Sequence, residues 1–122
     1  MAEYDFIESR FNQSEIAISL IEKSRNDFPN PSIIESRKEI YGENSSRFKV
    51  EDSLIRLLSK SRFGLDTLEL HNIILDLDIK FDPAEHDQTT IQHAIWDLTK
   101  ENILIATSDH MIQLSPKVDL SK

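Results

Sequence analysis

Apolar residues recur at helical spacing through most of the chain and change to short β-like runs near its end. Asn12 and Glu15 have capping-box spacing, with Phe11 and Ile16 placed for a hydrophobic staple. Ala17, Leu20, Ile21, Ser24 and Phe28 then share one helical face, which predicts a first helix stopping at Phe28-Pro29-Asn30-Pro31. Asn30 is the expected cap of a second helix with Pro31 at its first position. Ile33, Ile34, Ile40 and Tyr41 supply its stripe and Gly42 ends it. Residues 43–47 are polar and read as a connector. Val50, Leu54, Leu57, Leu58 and Ser61 fall within one arc and predict a third helix.

The second half begins with a turn at Gly64. Asp66 is the expected cap of a fourth helix, Glu69 completes its box, and Leu65 with Leu70 forms a staple. Leu70, Ile73, Ile74 and Leu77 make its stripe. Leu77, Ile79 and Phe81 then alternate with acids and Lys80, which predicts a brief extended segment ending at Pro83. Asp87 is the expected cap of a fifth helix, with Ile91, Ala94, Ile95 and Leu98 facing the core. The runs Ile103 to Thr107 and Met111 to Leu114, separated by Ser-Asp-His, predict a β-hairpin. Pro116 to Lys122 is expected to fray.

The fold class expected is therefore mostly α with a small β-hairpin, in one domain spanning 1–122. Residues 1–44 form an N-terminal helical extension, 50–114 the core and 115–122 a tail. Within that core the stretch Thr90-Ile91-Gln92-His93-Ala94-Ile95-Trp96-Asp97-Leu98-Thr99-Lys100-Glu101-Asn102-Ile103-Leu104 has the order cap, helical stripe, turn, apolar strand. Residues 50–114 resemble a winged helix-turn-helix domain, with the hairpin in the place of the wing. The resemblance is one of pattern and selects no particular family. It implies a winged-helix-like core carrying two extra N-terminal helices, and it assigns the outer face of the fifth helix to recognition. That face holds Thr89, Gln92, His93, Trp96 and Lys100. The link between the fourth and fifth helices is longer than the roughly 3–4 residues of a tight helix-turn-helix, and the wing tip lacks Lys and Arg.

Charge changes what this resemblance means. The chain has 14 basic and 22 acidic residues, a net charge of −8. Between Leu65 and Thr99 the single basic residue is Lys80, whereas Asp76, Asp78, Asp82 and Glu85 form an acidic face within a stretch holding eight acids. Such a surface repels phosphate backbones and attracts basic partners. The leading expectation is a non-enzymatic interaction module that binds a basic protein partner, as an adaptor or an inhibitor or immunity-type protein. The alternative is a DNA-binding regulator, dimeric through its N-terminal helices. For that alternative, Arg56, Lys60 and Arg62 are the cations that would join Lys100 in one positive patch.

Four apolar residues point away from their own stripes: Ile55, Leu68, Leu75 and Trp96. The N-terminal helices are expected to cover the first three. For Trp96, burial and a role as a partner or homodimer anchor weigh about equally.

Other chemistry finds little support. With no cysteine and two glycines, the chain has no thiol nucleophile, no Cys-ligated zinc, no disulfide and no Gly-rich phosphate loop. The acids from Asp76 to Asp87 have the length of a calcium loop, but Lys80 and Phe81 occupy positions that need an oxygen ligand and a glycine. His86 and His93 with nearby acids are a weak zinc grouping. Catalytic residues, metal and cofactor are all expected to be absent. No signal peptide or membrane span is evident, and the chain reads as cytoplasmic.

Overall fold

The structure, a computed structural model, describes residues 2–61, 64–70, 72–74, 88–107 and 111–121, with side chains from residue 15 onward except 88 and 89. Helices α1 (Ala2–Asp27), α2 (Ser32–Tyr41) and α3 (Ser46–Lys60) come first. A two-residue strand β1 (Leu65–Asp66) leads into helical residues 67–70 and 72–74, here α4. Helix α5 (Gln88–Lys100) and strands β2 (Leu104–Ala106) and β3 (Met111–Leu114) complete the order. The protein is thus mostly helical with a small three-stranded antiparallel sheet, ordered β1-β3-β2.

Helix α3 is the centre. Nine consecutive residues, Val50 to Leu58, are buried, so it has no solvent face over that length. The reason is that α1, α2, α5 and β3 all pack on it. Ile55, off its helix's own stripe, is accordingly buried, and Ala17 and Ile21 of α1 and Ile34 of α2 join the same core. Leu70, Ile73 and Ile74 of α4 and Ile91, Ala94, Ile95 and Leu98 of α5 close it from the other side.

Local signals account for most boundaries. The amide of Leu68 donates to Asp66 Oδ1 at 2.9 Å, which is the N-cap expected for α4. Leu65 is partly buried and packs against the core to which Leu70 belongs. Gly64 has φ +79°, and a Cβ there would lie 2.5 Å from the Ile112 carbonyl oxygen. That glycine lets β1 approach β3, with Leu65 opposite Ile112 and Asp66 opposite Met111. Helix α5 ends in a Schellman turn, in which Asn102 adopts φ 63° and the Ile103 amide reaches back to the Leu98 carbonyl at 2.9 Å.

The structure corrects several boundaries. Helix α1 is continuous from Ala2, so Asn12 lies inside it and caps nothing. Pro31 is itself the N-cap of α2, with extended backbone, in place of Asn30. The buried stripe of α2 is Ile34 and Arg37, and Ile40 is 58% exposed. Arg37 takes the inward place because Glu51 meets its charge there. Helix α3 starts at Ser46, inside the supposed connector, because the Ser45 hydroxyl accepts from the Phe48 amide at 3.1 Å. Leu68 stays 68% exposed and is not covered by the N-terminal helices. The expected frayed tail packs down: Leu120 is buried, Val118 rests on the core and the Ser115 amide bonds the Ile103 carbonyl at 2.9 Å. The extended segment at 77–82, Asp87 and Leu75 lie outside the described residues.

Candidate functional site

The outer face of α5 follows from its sequence. Ile91, Ala94, Ile95 and Leu98 at i, i+3, i+4 and i+7 turn inward and are all buried. Gln92, His93, Trp96 and Lys100 are therefore turned outward and are exposed. Thr89 belongs to the same helical face, though its side chain lies outside the described residues. Trp96 is 69% exposed, the highest value among the large apolar side chains described. Burial by the N-terminal helices, weighed as one fate for this indole, does not occur. Most of an aromatic ring that could bury roughly 150–250 Å² faces solvent.

The charges beside Trp96 are already matched. Asp97 pairs with Arg47, whose Nη2 also donates to the His93 carbonyl at 3.1 Å. Glu101 pairs with Arg37. Both guanidiniums converge on Glu51, with Arg37 Nε at 2.5 Å and Arg47 Nε at 2.8 Å from its two oxygens. Tyr41 completes the cluster, with the Cζ atoms of Arg37 and Arg47 at 5.5 and 5.1 Å from its ring centre. Burial works against the charge of each arginine. The hydrogen bonds and charges of Glu51 outweigh it, aided by Glu101 at Arg37 and by Asp97 at Arg47, so both are held above the ordinary arginine value. This network locks α2, α3 and α5 together and fixes the backbone beneath His93 and Trp96.

A second network uses the remaining nearby cations. Arg56 is buried, bonding Asp52 Oδ1 at 2.9 Å and the Phe28 carbonyl at 2.9 Å. Arg25 reaches the same Asp52 at 3.2 Å, and Lys60 Nζ bonds Asp27 at 2.7 Å while lying 5.3 Å from the Phe28 ring centre. Arg56 and Lys60 therefore do not merge with Lys100 into a positive patch. They hold α1 onto α3. Arg62 lies outside the described residues, as do Asp76, Asp78, Asp82 and Glu85 of the acidic face.

The structural roles of Arg37, Arg47 and Glu51 are absent from the sequence reading. Part of the signal is present in the i, i+4 spacings Arg47–Glu51 and Asp52–Arg56, which place opposite charges together on a helix. The reach of Arg37 across 64 residues to Glu101 has no local signature.

Among the described residues no group of three His, Asp or Glu side chains could hold a metal ion, and no helix is long and apolar enough to cross a membrane. A shallow groove of about 230 Å³ lies between the end of α3, β3 and the tail, lined by Ser59, Ser61, Gln113 and Leu114 among others. None of the described residues lining it has a titratable side chain. Comparison with protein-family models, curated proteins and solved structures finds no match to the chain.

Proposed function

We propose that this protein is a non-enzymatic interaction module, and that the outer face of α5, centred on Trp96, docks a protein partner. The observation that carries the reading is an exposed tryptophan on a rigid helix whose neighbouring acids are neutralised from within. Tryptophan is enriched at binding hot spots, and charged groups are depleted at the centre of interfaces. Gln92, His93 and Lys100 form the polar rim, with Thr89 at its end. The net charge of −8 favours a basic partner, consistent with an adaptor or an inhibitor of a basic protein.

The scaffold is winged-helix-like in this reading. Its support is the order α3-β1-α4-α5-β2-β3, with β1 and β2 flanking β3 and α5 presenting one whole face. The same order favours a second reading, a DNA-binding regulator that reads bases with Gln92 and its neighbours. Against it, Arg56 and Lys60 are consumed by internal bonds, and phosphate contacts dominate DNA affinity.

A polarisation titration of mixed-sequence duplex DNA at about 50 mM salt separates the two. No binding is expected; tight binding that collapses as salt rises would overturn the interaction reading. In a pull-down, a basic protein should be retained by the wild type and lost with Trp96→Ala. That variant should unfold at the wild-type midpoint, because little surface is buried there. Capture that survives the substitution would remove α5 from the interface.

A further inference from the structure

Helix α1 meets α3 along a polar stripe. Asp52, Arg56, Ser59 and Lys60 lie on one face of α3, and all four bond to α1 or to the corner that follows it. Arg25 reaches Asp52 at 3.2 Å, and Asp27 takes Lys60 at 2.7 Å. Arg56 and Ser59 both donate to the Ser24 hydroxyl at 3.4 Å, longer than a well-made hydrogen bond. Arg56 also donates to the carbonyls of Phe28 and Pro29, at 2.9 and 3.4 Å. It therefore clasps both the end of α1 and the non-helical residues 28–31 that lead to α2.

The α1 side of the seam is sparse. Between residues 15 and 27 the buried residues are Ala17, Ile21 and Ser24, with partial contact from Ile18 and Leu20. Buried hydrogen bonds and ion pairs give up little free energy when they open, because water replaces each partner. Apolar contact has no such replacement, and here it is confined to a few side chains. The packing order points the same way. Among α2, α3, α5 and the strands, α3 alone takes α1 in extended packing, whereas α2, α5 and β3 each rest on α3 directly. Taking α1 away leaves those other packings in place.

We propose that α1 is a releasable cover, which lifts from α3 about residues 28–31 while α2, α5 and the sheet stay folded on α3. Closed, it withholds Arg56 and Lys60 from solvent partners. Lifted, it returns both cations to the surface and bares a stripe of α3 that water can solvate. The Phe28-Pro29-Asn30-Pro31 corner suits a pivot, because its two prolines lack amide donors and carry no helical bonds across it. This opening does not involve α5, so it stands or falls separately from the docking reading.

Native-state hydrogen exchange of the full chain tests this. The amides of Ile21 to Asp27 should share one protection factor, about 100-fold or more below that of Val50 to Leu58. That protection should fall more gently with added urea, since lifting one helix exposes less surface than unfolding. The chain has no cysteine, and the hydroxyl oxygens of Ser24 and Ser59 are 3.4 Å apart, so the double variant Ser24→Cys, Ser59→Cys offers a lock across the seam. Oxidised, it should bring Ile21 to Asp27 close to the protection of α3; reduced, it should return them to the faster rate. Protection in wild-type α1 equal to that of α3 would overturn the proposal. So would protection graded along the helix, which is fraying, or fast exchange that persists in the oxidised variant. A cysteine pair that fails to oxidise would overturn the closed seam on which the proposal rests.

Discussion

Single residues set the close approaches in this fold, and two glycines show how differently the same backbone conformation can matter. Gly42 and Gly64 both have positive φ, at 89° and 79°. A Cβ at Gly42 would meet nothing within 4 Å, whereas one at Gly64 would press on the Ile112 carbonyl. Gly42→Ala should therefore cost only the conformational penalty, about 1 kcal/mol. Gly64→Ala should cost more than about 2 kcal/mol, because backbone must move or the β1–β3 ladder must open. Urea denaturation of the two variants checks the order. Neither requirement is legible in the sequence beyond the presence of a glycine, since what lies opposite Gly64 is 48 residues away in the chain. Asn102 is more legible, because asparagine tolerates left-handed backbone and sits just past the last apolar position of α5.

Among elements, those with one buried face were the easiest to read. The stripe Ile91, Ala94, Ile95 and Leu98 on α5 and the cap Asp66 before α4 both stand as expected. So does the outward set on α5, at least for Gln92, His93, Trp96 and Lys100. Helix α3 was hard for the opposite reason. Periodicity marks one face, yet Glu51, Asp52 and Arg56 are buried as well, because partners on other elements satisfy their charges. Strand β1 was missed because two residues cannot show alternation. The element-scale consequence is that Glu51 ties α2 and α3 at their shared charge cluster. Glu51→Gln should destabilise the protein by about 3 kcal/mol, since Arg37 loses its buried counter-ion while keeping only Glu101 at its edge. Chemical denaturation measures this. Asp97→Asn, at the half-exposed edge of the same network, should cost less than about 1 kcal/mol.

At the scale of the whole molecule, part of the positive charge is tied up in an internal scaffold, within a chain whose net charge is −8. Pairs such as Arg56–Asp52 and Lys60–Asp27 draw cations inward or hold them against the core. This is why a count of lysines and arginines overstates what a nucleic acid would meet. One pair gives a pH signature. The hydrogen bond from Lys60 holds the Asp27 carboxyl below its ordinary value of 3.8, with the charges of Lys60 and Lys23 adding to it against a smaller cost of burial. A depressed carboxylate stabilises the fold above its unfolded value, and the contribution disappears as pH falls through the folded one. The melting-temperature difference between wild type and Asp27→Asn should therefore shift against the wild type as pH drops below about 3.8. The uninterrupted burial of Val50 to Leu58 also has a kinetic meaning. Every opening that frees an amide there must first detach α1, α2, α5 or β3, so these nine amides should exchange with deuterium only through global unfolding. Their common protection would report the stability of the entire chain.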